Sequence, residues 1–381
     1  MRARSEWWCG RLAVLAGLGM VGFAATGAVF GCAASGGATD TSATSGGAGA
    51  AGGAGGATSG GNDAGGMGGI GGGEAGSGGI DDCPGPAGVT LAMDELFLGT
   101  TDFNGAPQTD AWATYGFNLD EMTTTSNLSG HCIPYQGSSA TLMADGAQGI
   151  DNSFGKNVLP ILLPLVPDIQ DQANAALQSG QFSLLFHFDG LGDEANVDPL
   201  KTLLYSGAPL SAPPQWDGKD CWPVADTSLS DPNDVTSANI AFSESVLSGN
   251  SWNSNGTTTL VLPISILNVQ APLTIYNARM STVLSSTHQG AALGRIGGVL
   301  DTEEFIDVVR NAAATISAPF CGAAFDPTAD SIRLASDIMK DGTQDPNSTC
   351  DGISVGLGFS LLYARLGPVQ MAPPPAVKPC D

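Results

Sequence analysis

The chain has 381 residues, with 37 Asp plus Glu against 13 Lys plus Arg and a formal net charge of -24. That balance excludes phosphate-directed nucleic-acid binding, which needs clustered cations, and a polybasic contact with a membrane surface. Only 13% of residues are charged and 42% are hydrophobic, so the bulk of the chain can form a core.

The first segment, residues 1–31, reads as an export signal. Arg2, Arg4 and Arg11 precede an uncharged apolar run from Leu12 to Phe30, which is the order of a secretory n-region and h-region. Gly17, Gly19, Gly22 and Gly27 interrupt the run and weaken it as a permanent helical span. It ends in Val29-Phe30-Gly31-Cys32, which resembles the lipobox of bacterial lipoproteins. The resemblance implies cleavage before Cys32 and acylation of its thiol. Phe30 is bulkier than the usual residue at its place. The expected partner is therefore membrane lipid, held through an acyl chain at about 0.8 kcal/mol per buried methylene.

Residues 33–80 follow as a tether in which 21 of 48 positions are Gly and most others Ala, Ser or Thr. Such a stretch has too few apolar side chains to offset its ordering entropy. As a coil it would reach about 35–42 Å. Its glycines lack the flanking strand and the Lys-Ser/Thr of a phosphate-binding loop.

Residues 81–381 read as one globular domain. Four of the 37 acids and three of the 13 bases precede it, leaving 33 against 10. Gln181 to Asp189 is strongly β-prone. Lys201 to Tyr205, Leu260 to Leu262, Ile264 to Val269, Leu273 to Leu284 and Ile353 to Leu366 read as further strands. Pro263 and Pro272 point to edges or bulges, and Gly356 and Gly358 to bulges. Val158 to Val166, interrupted by Pro160 and Pro164 and followed by Pro167, is expected to be an extended, buried connector.

Three helices are expected. Asp168 to Ser179 would bury Ile169, Ala173, Ala176 and Leu177 and stop at Gly180. Thr302 to Ile316 would start at a Thr302 cap and bury Phe305, Val308, Val309, Ala312 and Ile316. Thr328 to Lys340 would bury Ile332, Ala335, Ile338 and Met339. The expected fold is mainly β, a β-sandwich of jelly-roll or lectin-like type with two or three short helices; the alternative is α+β.

With Cys9 and Cys32 set aside, Cys83, Cys132, Cys221, Cys321, Cys350 and Cys380 form an even set in an exported chain. Three disulfides follow. The expected pairs are Cys321 with Cys350, bracketing one helical unit, Cys83 with Cys380 at the domain ends, and Cys132 with Cys221. Absent CxxC spacing argues against zinc.

Catalytic signals are sparse. His131, His187 and His288 share no helix turn, HExxH or GxSxG elbow. Three acidic groups stand out: Asp189, Asp193, Glu194 and Asp198; Asp217, Asp220, Asp226, Asp231 and Asp234; and Asp341, Asp345, Asn347 and Asp351. Oxygen-rich loops suit Ca²⁺, but Pro346 occupies the place of the EF-hand glycine, so no cofactor is assigned and calcium stays open. Trp216 and Trp222 flank Asp217 and Asp220, as a glycan-stacking platform would require or as packing on a disulfide would produce.

The segment ASDIMKDGTQDPNSTCDGISVGLGF, Ala335 to Phe359, together with the lipobox, the Gly/Ala tether and the acidic cysteine-containing domain, resembles poorly characterised surface lipoproteins of myxobacteria. That resemblance implies a surface location and carries over no catalytic residue. The expectation is an outer-membrane-anchored, non-enzymatic binding or surface-structure module for a glycan or a cell-surface ligand. The alternative is a secreted, calcium-supported hydrolase of polysaccharide.

Overall fold

The structure is a computed structural model that describes residues 83, 85–136, 138–266, 269–374 and 378–380. The signal, Cys32 and the tether lie outside the described residues. Ten strands carry the fold: β1 Gly88–Phe97, β2 Ser183–Asp189, β3 Val197–Gly207, β4 Cys221–Ala225, β5 Ile240–Ser248, β6 Ser251–Asn253, β7 Thr258–Ile266, β8 Val269–Leu284, β9 Gly290–Asp301 and β10 Gly352–Gln370.

Eight of them close on themselves. The order β1-β2-β3-β5-β6-β8-β9-β10 returns to β1, each neighbour antiparallel. The fold is therefore a closed β-barrel with two strands outside it, and the expected sandwich is wrong. Closure pairs every strand of the wall on both sides and so removes the free edges that a sandwich keeps. The two prolines of the β7–β8 region do sit off the barrel: Pro263 and Pro272 face each other across a two-stranded arm.

The barrel is solid. Trp252 meets Phe186, Phe188 and Phe242 edge-on at 5.7–6.1 Å between ring centres, and Phe186 stacks on Phe359 at 5.4 Å. The alternation of β2 places Phe186 and Phe188 inward and His187 outward. Buried Trp252 needs an acceptor for its indole N–H; Thr202 Oγ1 at 3.1 Å and Ser245 Oγ at 3.0 Å supply it.

A second circuit of pairings shares this wall. The ends of β3 and β10 run on past the barrel and both pair with β4, antiparallel and parallel respectively. The ring β1-β2-β3-β4-β10 thus closes over the outer face of β1 and β2. Leu185, Leu203, Tyr205, Trp222, Val224 and Leu366 are buried there as a separate core.

Helix α1 spans Leu159–Leu162, α2 Ile169–Gln178, α3 Thr302–Ile316 and α4 Asp326–Arg333. In α2 the expected four apolar residues are the buried ones, and its polar side reaches β1. Asn174 accepts the Leu96 N–H and donates to the Leu96 carbonyl, at 2.8 and 3.1 Å. The cap of α3 is Asp301 rather than Thr302: its carboxylate accepts the N–H groups of Glu303 and Glu304. Ile306 is buried where Ile316, 59% exposed, was expected.

Other expectations need correction. The stretch from Phe154 to Leu162 is not extended; one wide π-type turn leads into α1, with Pro160 in its first turn, where no intrahelical N–H is lost. Helix α4 stops at Arg333, and Ile338 instead bridges to Gly352. Gly356 and Gly358 are paired in register with β9; the irregularity in that ladder lies between Phe359 and Leu361. No helix among the described residues is long and apolar enough to cross a membrane.

Candidate functional site

Three disulfides form, but none of the expected pairings does: the bonds are Cys83–Cys221, Cys132–Cys350 and Cys321–Cys380. The first ties the segment before β1 to β4, the second joins two loops, and the third ties the tail to the helical turn after α3. Cys83 enters beside the Leu366 carbonyl of β10 and so meets β4. Cys132 lies next to the Ile133–Thr349 bridge and so meets Cys350. Cys380 ends a tail that returns to the segment after α3, where its N–H donates to Asn311 Oδ1 at 3.1 Å. Chain ends and flanking positions mispredict these pairs because strand neighbours set them.

The acidic groups singled out in the sequence serve their own turns. Asp217, Asp231, Asp234, Asp341 and Asp345 each accept a backbone N–H two residues on, at 2.9–3.0 Å. Asp220 accepts the N–H groups of Gln215 and Trp216, Glu194 that of Gly192, and Asp189 pairs with Lys201 at 3.2 Å. Among the described residues no three such side chains converge to hold a metal ion.

Trp222 is fully buried, with its indole N–H donating to the Ala208 carbonyl at 3.0 Å. Trp216 is half-buried and packs on it at 5.7 Å between ring centres, beside Cys221. The pair thus packs together at the margin of the second core, and Trp222 has no face open to a sugar. His187 is buried against the Thr90 hydroxyl, 2.9 Å away, and burial lowers its pKa.

Sequence reasoning missed a carboxylate seam. Residues 98–153 wrap the outside of β9 and β10, where glycines replace side chains: a Cβ on Gly356 would collide with the Tyr115 carbonyl, and one on Gly358 with the Tyr115 ring. Along this seam burial holds the carboxyls of Asp145 and Asp151 above the usual range, and the charge of Asp120 raises both further. Buried Asp337 accepts the N–H and O–H of Ser354 at 2.8 and 2.6 Å, and burial pushes its pKa up to about 7. The seam joins the wrap to the barrel.

The space for a ligand is elsewhere. At the end of the barrel where β2 begins and β3 ends, a cavity of about 680 Å³ opens between the barrel rim, the β7–β8 arm and the tail after β10. That volume suits one small molecule. Phe182, Leu184, Leu204 and Leu260 are its buried apolar walls, and Pro209, Pro263, Pro272, Pro373 and Pro374 surround them. Ser206, Thr227, Ser228 and Asn239 give a few hydroxyl and amide groups. Among the described lining residues the one titratable group is Tyr205. Its hydroxyl already donates to the Val235 carbonyl at 2.8 Å, and burial raises its pKa. The tail is fixed at the cavity by the Ala372 N–H, which donates to Asp226 Oδ1 at 2.9 Å. The described lining is mostly apolar, with its polar groups at one wall, a shape and chemistry that suit an apolar body.

Comparison with known proteins found no matching family model, curated protein or solved structure.

Proposed function

We propose that this protein is an exported, lipid-anchored surface protein whose barrel domain binds a small hydrophobic ligand. The observation that carries the binding half is the cavity of about 680 Å³ with apolar walls. Ligand pockets of about 300–1,000 Å³ with apolar walls and a few polar groups are the usual form of a binding site. The three disulfides support an oxidising compartment. The anchoring half rests on Val29 to Cys32 and on the tether. An outer-membrane or cell-surface position follows from that reading.

Two measurements test it. Mass spectrometry of the mature protein should find Cys32 at the N-terminus carrying acyl mass; a mature chain starting elsewhere removes the anchor. The whole chain carrying Cys32→Ser, exported so that its disulfides form, should bind the uncharged fluorophore 1-N-phenylnaphthylamine at one saturable site. A linear, non-saturating signal removes the binding module.

A further inference from the structure

Resting on that binding reading, we infer that the cavity selects uncharged amphiphiles, such as long-chain alcohols or esters, and rejects the carboxylate form of the same chain.

A lipid-binding site that takes a fatty acid anion needs a cation or a set of free N–H donors at the head group, because an ion leaving water without a partner is heavily penalised. None of the described lining residues is charged. Of the described basic residues within six positions of the lining segments, Lys201 pairs with Asp189 and Lys219 with Asp217 at 3.1 Å, while exposed Lys378, four residues past Pro374, is not among the lining residues. The one charge held at the margin is negative, since Asp226, between lining residues Ala225 and Thr227, grips the Ala372 N–H. The whole chain adds a net charge of -24 to the surrounding field.

Backbone donors are also taken. The Ser206 N–H donates to Ser228 Oγ at 2.9 Å, and the Asn239 N–H to the Ser228 carbonyl at 2.8 Å. The Asn239 amide donates to the Thr227 carbonyl at 3.0 Å. What remains at this wall are neutral hydroxyl and amide groups, which match an alcohol O–H and carry no positive charge to compensate an anion. They offer an anion little. A ligand with an apolar body and one neutral polar group satisfies both walls.

The test is competition. On the exported whole chain with Cys32→Ser, decanol and decanoate are titrated at pH 8 against bound 1-N-phenylnaphthylamine. Decanol is expected to displace the fluorophore at least tenfold more effectively than decanoate. Val261→Lys places a cation on an exposed lining position (Val261 is 46% exposed) and is expected to narrow that ratio by improving decanoate relative to decanol. Equal displacement, or decanoate ahead, overturns the selectivity while leaving hydrophobic binding intact. A fluorophore that never binds in saturable fashion overturns the binding reading itself, and this inference with it.

Discussion

The cavity and the carboxylate seam lie on the same barrel and differ in almost every respect. The seam holds Asp145, Asp151 and Asp337, all with raised pKa values, yet it is closed by backbone packed onto glycine. The cavity is open and apolar, and none of its described lining residues is charged. Perturbed carboxyls are a common pointer to an active site, but here they mark where a loop is fastened. The space that can receive a molecule is lined by residues with little chemistry of their own. Charge that burial has made costly secures structure in one place; its absence shapes specificity in the other.

The sharpest break in that contrast is Gly356→Val. A side chain there meets the Tyr115 backbone, which cannot rotate away, so destabilisation of about 4 kcal/mol or outright failure to fold is expected. A denaturation midpoint near the parent's would mean that residues 98–153 are not seated on β10. Next in size is the tail bond. Cys321→Ser with Cys380→Ser opens a loop of sequence separation 59 and is expected to cost about 3 kcal/mol. It should also weaken fluorophore binding, because Ala372 to Pro374 form part of the cavity wall. Unchanged affinity would detach the tail from the site.

Smaller, and distinctive in sign, is the pH response of the seam. Asp337 has a folded pKa of about 7 against 3.8 unfolded. Its contribution is fully present below pH ~4 and is lost as pH rises through about 7. Asp145 and Asp151 act in the same direction. Exposed turn aspartates with lowered values, such as Asp217 and Asp341, act in the opposite one. The difference between parent and Asp337→Asn isolates the buried group: between pH 4 and 7 the parent should lose stability relative to the variant, by at most about 1.4 kcal/mol per pH unit. Parallel curves from urea titrations would show that Asp337 titrates normally. Smallest in stability is Ile240→Trp, a half-buried lining residue enlarged into empty space. A midpoint within about 1 kcal/mol of the parent is expected, with fluorophore binding lost. Binding that survives would place the ligand elsewhere.

Local signals were legible where a residue's role is set by its near neighbours. The buried face of α2, the strand from Gln181 to Asp189 and the long last strand all follow from periodicity. Disulfide count followed from composition; pairing did not, because Cys83 and Cys221 meet only after β4 has joined β10. Barrel closure was hidden for the same reason. It depends on β10 finding β1 across most of the chain, and β9, with Gly290, Gly294, Gly297 and Gly298, shows little alternation to announce a strand. The cavity had no sequence signal. Its walls come from β2, β3, β5, β7 and the tail, and its prolines read as loop punctuation.

The wall shared by the two ring circuits has a mechanical consequence. Strands β1, β2, β3 and β10 each belong to both closed loops of hydrogen bonds. Peeling any of them away must break two fences at once. Strand-by-strand recruitment into fibrils, which starts from an unpaired border, finds ready footholds among the described strands on the β7–β8 arm, the outer side of β7 included. There Pro263, which has no N–H to give a newcomer, interrupts the border.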